Sequence, residues 1–194
     1  MRDGHGDPPL HPEGHRQAQA VADRLVSSGE RIGAIYVTTL QRTVQTAGPL
    51  ADRLGLPLRV EARLREVSLG EWEGGEYRRR MAERDPIALA SLEVQRWDVI
   101  PGAEPAEVFA ARVREGIDAI ARAHPDELVV AVVHGGVIGQ IMAHATGCRP
   151  FAFVGADNAS ISHLVVQDDW WSVRCFNDTS HLTPQFSTSA QSLE

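Results

Sequence analysis

The strongest constraint on this chain is a pattern that occurs twice: a short apolar run that passes directly into a helix. Ile32–Val37 leads through Thr38 and Thr39, expected helix caps, into a helix from about Leu40 to Leu54 that Gly55 closes and Pro49 is expected to kink. Leu128–Val133 is apolar at every position and ends in His134-Gly135-Gly136, followed by a helix from about Val137 to Thr146. Continuous apolar runs, unlike alternating ones, suit strands covered on both faces. A short strand at Leu58–Val60 and helices over 14–28 and 107–123 extend the alternation. Strands alternating with helices predict a three-layer α/β/α fold around a mostly parallel sheet.

The remaining segments are less regular. A helix is expected over 77–83, and 85–105 shows no clear period. Ile161–Val166 and Trp171–Cys175 read as a hairpin turning through Asp168 and Asp169. Residues 183–194 are rich in Ser, Thr and Gln and read as a frayed tail, leaving 1–182 as one domain. The Trp170-Trp171 pair suits a covered core edge, with a homodimer contact as the alternative.

Composition removes several function classes. The net charge is −7 and the longest basic run is Arg78-Arg79-Arg80, which disfavours nucleic acid as a partner. No run approaches the ~20 apolar residues of a membrane helix. Met1 is followed by Arg2-Asp3-Gly4 rather than by an apolar leader. The two cysteines, Cys148 and Cys175, form no CxxC pair, so a reduced, cytoplasmic setting is the simpler expectation.

In parallel sheets, ligands bind at the carboxyl ends of the strands. Arg42, in the first turn of the helix after Ile32–Val37, could offer a bidentate fork to an anion beside free helix N–H groups. Its bland alternative is a surface arginine. His134, at the end of the second apolar run, could donate to the same anion, with Gly135 allowing close backbone approach. Its alternative is a packed core histidine. The charged stretch Arg63–Gly74 could be a solvated loop, or could bring a carboxyl into a semi-enclosed site as a proton donor.

These stretches resemble, as a set and in order, the phosphoglycerate mutase-like branch of the histidine phosphatase superfamily. The pieces are Leu10–Ala18, Tyr36–Ala47, Leu64–Gly74, Pro101-Gly102-Ala103-Glu104, Val133–Gly136 and Asn158-Ala159-Ser160. The resemblance implies that Arg42 binds phosphate, that Glu66 is the acid/base carboxyl, and that His134 stabilises the transferring phosphoryl group with the Gly135 N–H beside it. It further implies a phosphohistidine intermediate, a small phosphorylated substrate, and no metal or other cofactor. Leu69 and the Glu71–Gly74 run resemble the phosphatase members more than the mutases.

The family's first strand ends in Arg-His-Gly, whose histidine is the nucleophile, and this sequence shows no such motif. Arg2-Asp3-Gly4-His5-Gly6 echoes it only loosely, since two residues separate Arg2 from His5. The expectation is therefore an upstream start for the natural protein and impaired catalysis by this chain alone. The rival reading is a binding protein that keeps the phosphate pocket without turnover. A zinc hydrolase, through His11 and His15 four apart, is a third and weaker reading.

Overall fold

The computed structural model describes residues 6–168 and 170–182. Its elements are α1 (Pro12–Ser27), β1 (Ile32–Val37), α2 (Gln41–Leu54), β2 (Leu58–Val60), α3 (Glu76–Ala82), α4 (Pro86–Val94), α5 (Ala106–Ala123), β3 (Leu128–Val132), α6 (Gly135–Thr146), β4 (Ile161–Gln167) and β5 (Trp170–Asp178). Single 3₁₀ turns at Ala62–Leu64 and Gly70–Trp72 fold the long connection after β2. His5 and the expected tail, 183–194, lie outside the described residues.

The expected parallel sheet is present, in the order β2-β1-β3. β1 is central, with Val37 level with Val60 on one side and Val132 on the other. Side chains alternate across a strand, and this alternation divides the core. Ile35 and Val37 join Val130 and Val132 beneath Ala22 of α1 and Ala47 and Leu50 of α2. Tyr36, Val129, Ala131 and Val133 face the opposite way, towards Ile117 and Ile120 of α5 and Val137 and Ile141 of α6. Three layers result. β4 and β5 form a separate antiparallel hairpin, as expected. Among the described residues β3 pairs only with β1, so its other edge has no strand partner.

Helix ends follow local chemistry in most places. Gly55 and Gly147 close α2 and α6 in the left-handed conformation, at φ 64° and 65°. α4 occupies the stretch without a readable period. Asp85 caps it by accepting the Ile87 N–H at 2.8 Å, and Gln95 ends it at φ 57°. Its apolar residues lie all round the helix: Ala88 is buried, while Ile87, Leu89, Leu92 and Val94 are exposed. That distribution has no amphipathic stripe for a sequence reading to find.

Two expectations need correction. Thr38 and Thr39 do not cap α2 as expected; the cap residue is Leu40, with no side-chain bond, and Asp7 Oδ1 accepts the Gln41 N–H at 2.9 Å from 34 residues away. The tryptophan pair splits, with Trp171 buried and Trp170 exposed. A row of rings, Trp72–Tyr77–Trp97–Phe151, with centroids 6.2, 5.3 and 4.5 Å apart in turn, fastens the loop after β2 to the body.

Candidate active site

The three residues expected to meet each follow one strand of the parallel sheet. Arg42 lies in the first turn of α2 after β1, Glu66 in the connection after β2, and His134 between β3 and α6. The register that puts Val37 beside Val132 makes the residues just beyond them neighbours as well. There the buried His134 places Nε2 2.9 Å from the Thr38 hydroxyl. Thr38 is itself fixed: its N–H donates to Thr43 Oγ1 at 3.0 Å, and Leu40 N–H donates to its Oγ1 at 3.3 Å. His134 begins α6 but leaves the capping of that helix to other groups.

Glu66 bridges to the same helix. Its Oε2 accepts the Gly136 N–H at 3.0 Å, and its Oε1 accepts the Val67 N–H at 2.9 Å. A Cβ at position 136 would fall 2.5 Å from Glu66 Oε1, so glycine is what admits the carboxyl. Burial pushes the Glu66 pKa up from the ordinary carboxylate range. The Val67 and Gly136 N–H groups, Arg42 and Arg112 oppose that rise by favouring the anion. Desolvation wins, which leaves a carboxyl able to hold a proton further towards neutrality than an exposed one.

Arg42 completes the group. Burial lowers its pKa, and the Glu66, Asp7 and Glu73 carboxyls oppose the effect. It remains a guanidinium cation, always charged in practice. Arg65 lies close enough to push the Arg42 pKa down as well, so two guanidinium groups share this edge of the sheet. Arg42 Nη1 also donates to the Gly6 carbonyl at 3.3 Å, which brings the start of the described chain to the site.

Arg42, Glu66 and His134 thus converge, linked through Thr38, Thr43 and Gly136. The free N–H groups expected at the start of α2 are not all available, because Asp7 accepts from Gln41. Thr38, Asp7, Arg65 and Gly136 were missed as site residues. Thr38 at the end of a buried strand and the second glycine of His134-Gly135-Gly136 were visible signals; Asp7 was not. His11, considered as a zinc ligand, caps α1 through Nδ1, which accepts the Glu13 N–H at 3.4 Å. Cations, an imidazole and a carboxyl with a raised pKa can together hold an oxyanion and pass it a proton.

Known proteins bear on this geometry. Among curated relatives, phosphoglycerate mutase-like protein 4 of Arabidopsis thaliana is 34% identical, with 92% of this chain and 78% of the relative aligned. The metal-independent phosphoserine phosphatase of the same plant is 32% identical, with 90% and 73% aligned. The mycobacterial glucosyl-3-phosphoglycerate phosphatase, solved with VO3, superposes with a TM-score of 0.78 at 31% identity, covering 91% of this chain and 90% of that one. At 22% identity, the phosphoglycerate mutase of Bacillus anthracis, TM-score 0.71 over 92% of this chain and 88% of its own, shares the fold. The family model of the histidine phosphatase superfamily (branch 1) matches residues 1–179, and the chain belongs to that family of phosphatases and mutases.

Proposed function

We propose that this chain is the body of a metal-free phosphomonoesterase that works through a phosphohistidine intermediate. One observation carries the reading: a buried imidazole, a guanidinium and a carboxyl with a raised pKa meet at the carboxyl ends of three parallel strands. Relatives support the substrate class, since their names include phosphatases of phosphoserine and of glucosyl-3-phosphoglycerate, and one was solved with inorganic phosphate.

The chemistry divides between the groups. A neutral histidine attacks phosphorus in line, the bond to the leaving oxygen breaks, and the protonated Glu66 carboxyl supplies the proton to that oxygen. Water then attacks the phosphohistidine, Glu66 takes a proton back, and phosphate and free histidine result. Arg42, His134 and the Gly135 N–H hold the equatorial oxygens throughout. The likeness of Leu69 and the Glu71–Gly74 run to the family's phosphatase members supports hydrolysis rather than mutase transfer.

By resemblance to the family, the nucleophile is the histidine of an Arg-His-Gly motif that ends a strand; this sequence shows only the loose echo Arg2-Asp3-Gly4-His5-Gly6. The test compares this chain with an N-terminally extended version on p-nitrophenyl phosphate and alkyl phosphates, with Glu66→Ala and His134→Ala as controls. Turnover by the extended protein supports the reading when His134→Ala loses it on both substrates and Glu66→Ala loses it most on the alkyl phosphates. An extended protein inactive on every common phosphomonoester, yet binding phosphate, favours the non-catalytic binding protein instead.

A further inference from the structure

The Pro101–Glu104 segment has no part in the chemistry above, yet it lies across the loop that carries Glu66. Glu71 N–H donates to the Pro101 carbonyl at 3.0 Å, and Glu104 N–H donates to the Ser68 carbonyl at 2.9 Å. Gly70 packs so closely on Gly102 that an added Cβ would fall 2.2 Å from the Gly102 carbonyl carbon. From α5, Arg112 meets the Glu104 carboxylate in a two-bond fork, Nε to Oε1 at 2.6 Å and Nη2 to Oε2 at 2.7 Å. Its other donors turn to the backbone: Nη1 to the Arg63 and Arg65 carbonyls, both at 2.6 Å, and Nη2 to the Glu66 carbonyl at 3.0 Å.

All five guanidinium N–H groups are therefore used. Glu104 Oε2 also accepts the Ser68 N–H at 3.3 Å, so the pair grips the backbone on both sides of Glu66. Both side chains are largely covered, at 20% and 13% exposure, which makes an incidental surface ion pair a poor description.

We propose that Arg112 and Glu104 are positioning residues that fix where the Glu66 carboxyl sits against Gly136. The proposal rests on Glu66 as the acid/base group, and names what holds it. A carboxyl with two rotatable bonds beyond Cβ could point elsewhere if its backbone moved. With the carbonyls of 63, 65 and 66 and the N–H of 68 all held, the remaining freedom is taken by Val67 and Gly136. The Arg112 charge also favours the Glu66 anion, against the larger effect of burial. Lysine, with three donors and no planar fork, cannot reproduce this set.

The test follows the Gly136 amide of the ¹⁵N-labelled chain across a pH titration, because that N–H bonds Glu66 directly. In the parent its shift should follow Glu66 with a midpoint above the ordinary carboxylate range, and Glu66→Gln should silence it. Arg112→Lys keeps the charge, and Glu104→Gln keeps the shape. Each should move the midpoint by about half a pH unit or more, or halve the amplitude, while β4 and β5 amides stay in place. An unchanged Gly136 titration in both variants overturns the proposal, as does uniform loss of dispersion in both, which would make the pair merely structural. Inorganic phosphate added to the parent tests the site separately: Gly135 and Gly136 amides that ignore it count against the phosphatase reading and leave the clamp result standing.

Discussion

Glu66 carries opposing demands in one side chain. Burial favours its neutral form, while two backbone N–H groups and two arginines favour its anion. Its pKa is raised above the unfolded value, so it adds stability below the ordinary glutamate range, and this is lost as pH climbs through the raised value. The parent should therefore lose stability relative to Glu66→Gln as pH rises through that window, by at most about 1.4 kcal/mol per pH unit. Chemical denaturation of both proteins at several pH values measures it; parallel curves would refute the assignment. Arg42 makes a simpler case. Replacing it with alanine removes charged hydrogen bonds to an oxyanion, worth about 1.5–3 kcal/mol, or roughly 10- to 150-fold in phosphate or vanadate affinity. Calorimetric titration checks this, and unchanged affinity would place the oxyanion elsewhere.

At the level of elements, the strands and long helices were legible because each carries its own period, apolar throughout for β1 and β3 and helical for α5. What connects them was not. The cap of α2 comes from Asp7, the partner of His134 is Thr38, and Glu66 reaches Gly136, 70 residues along the chain. Each pairing depends on strand register, which no local pattern states. The first turn of α6 shows what such a contact costs to disturb. In Gly136→Ala the added Cβ would meet Glu66 Oε1 at 2.5 Å, while alanine itself favours the helix by about 1 kcal/mol. Stability should thus stay within about 1 kcal/mol of the parent while the acid/base group is displaced. In a catalytically complete chain, kcat on alkyl phosphates should fall about 100-fold or more. p-Nitrophenyl phosphate, whose leaving group needs little protonation, should suffer less. Gly139→Ala is the control, since its Cβ would meet a Val154 methyl at 3.3 Å that can yield. Equal losses in both variants, or on both substrates, would deny Glu66 its role as proton donor.

At the scale of the whole molecule, the sheet and hairpin are separate, and β3 pairs only with β1 among the described residues. Yet β3 is apolar at every position and only half-buried, which suits an interior strand better than an edge. The chain also reaches the site at Gly6, beside Arg42, so a preceding strand that ends in Arg-His-Gly would end beside the reacting groups. A short strand laid along β3 would add about five ladder bonds at ~0.5–1.5 kcal/mol net each. The extended protein should therefore melt at least about 5 °C above this chain. Hydrogen exchange should slow at β3 amides that point away from β1. Turnover should appear with the same extension. Replacing the histidine of the added Arg-His-Gly by alanine separates the two effects, because it should abolish turnover and keep both the melting gain and the β3 protection. If the extension leaves β3 exchange unchanged, the strand does not lie there, and a histidine on it could not reach the phosphoryl group that Arg42 and His134 are arranged to hold.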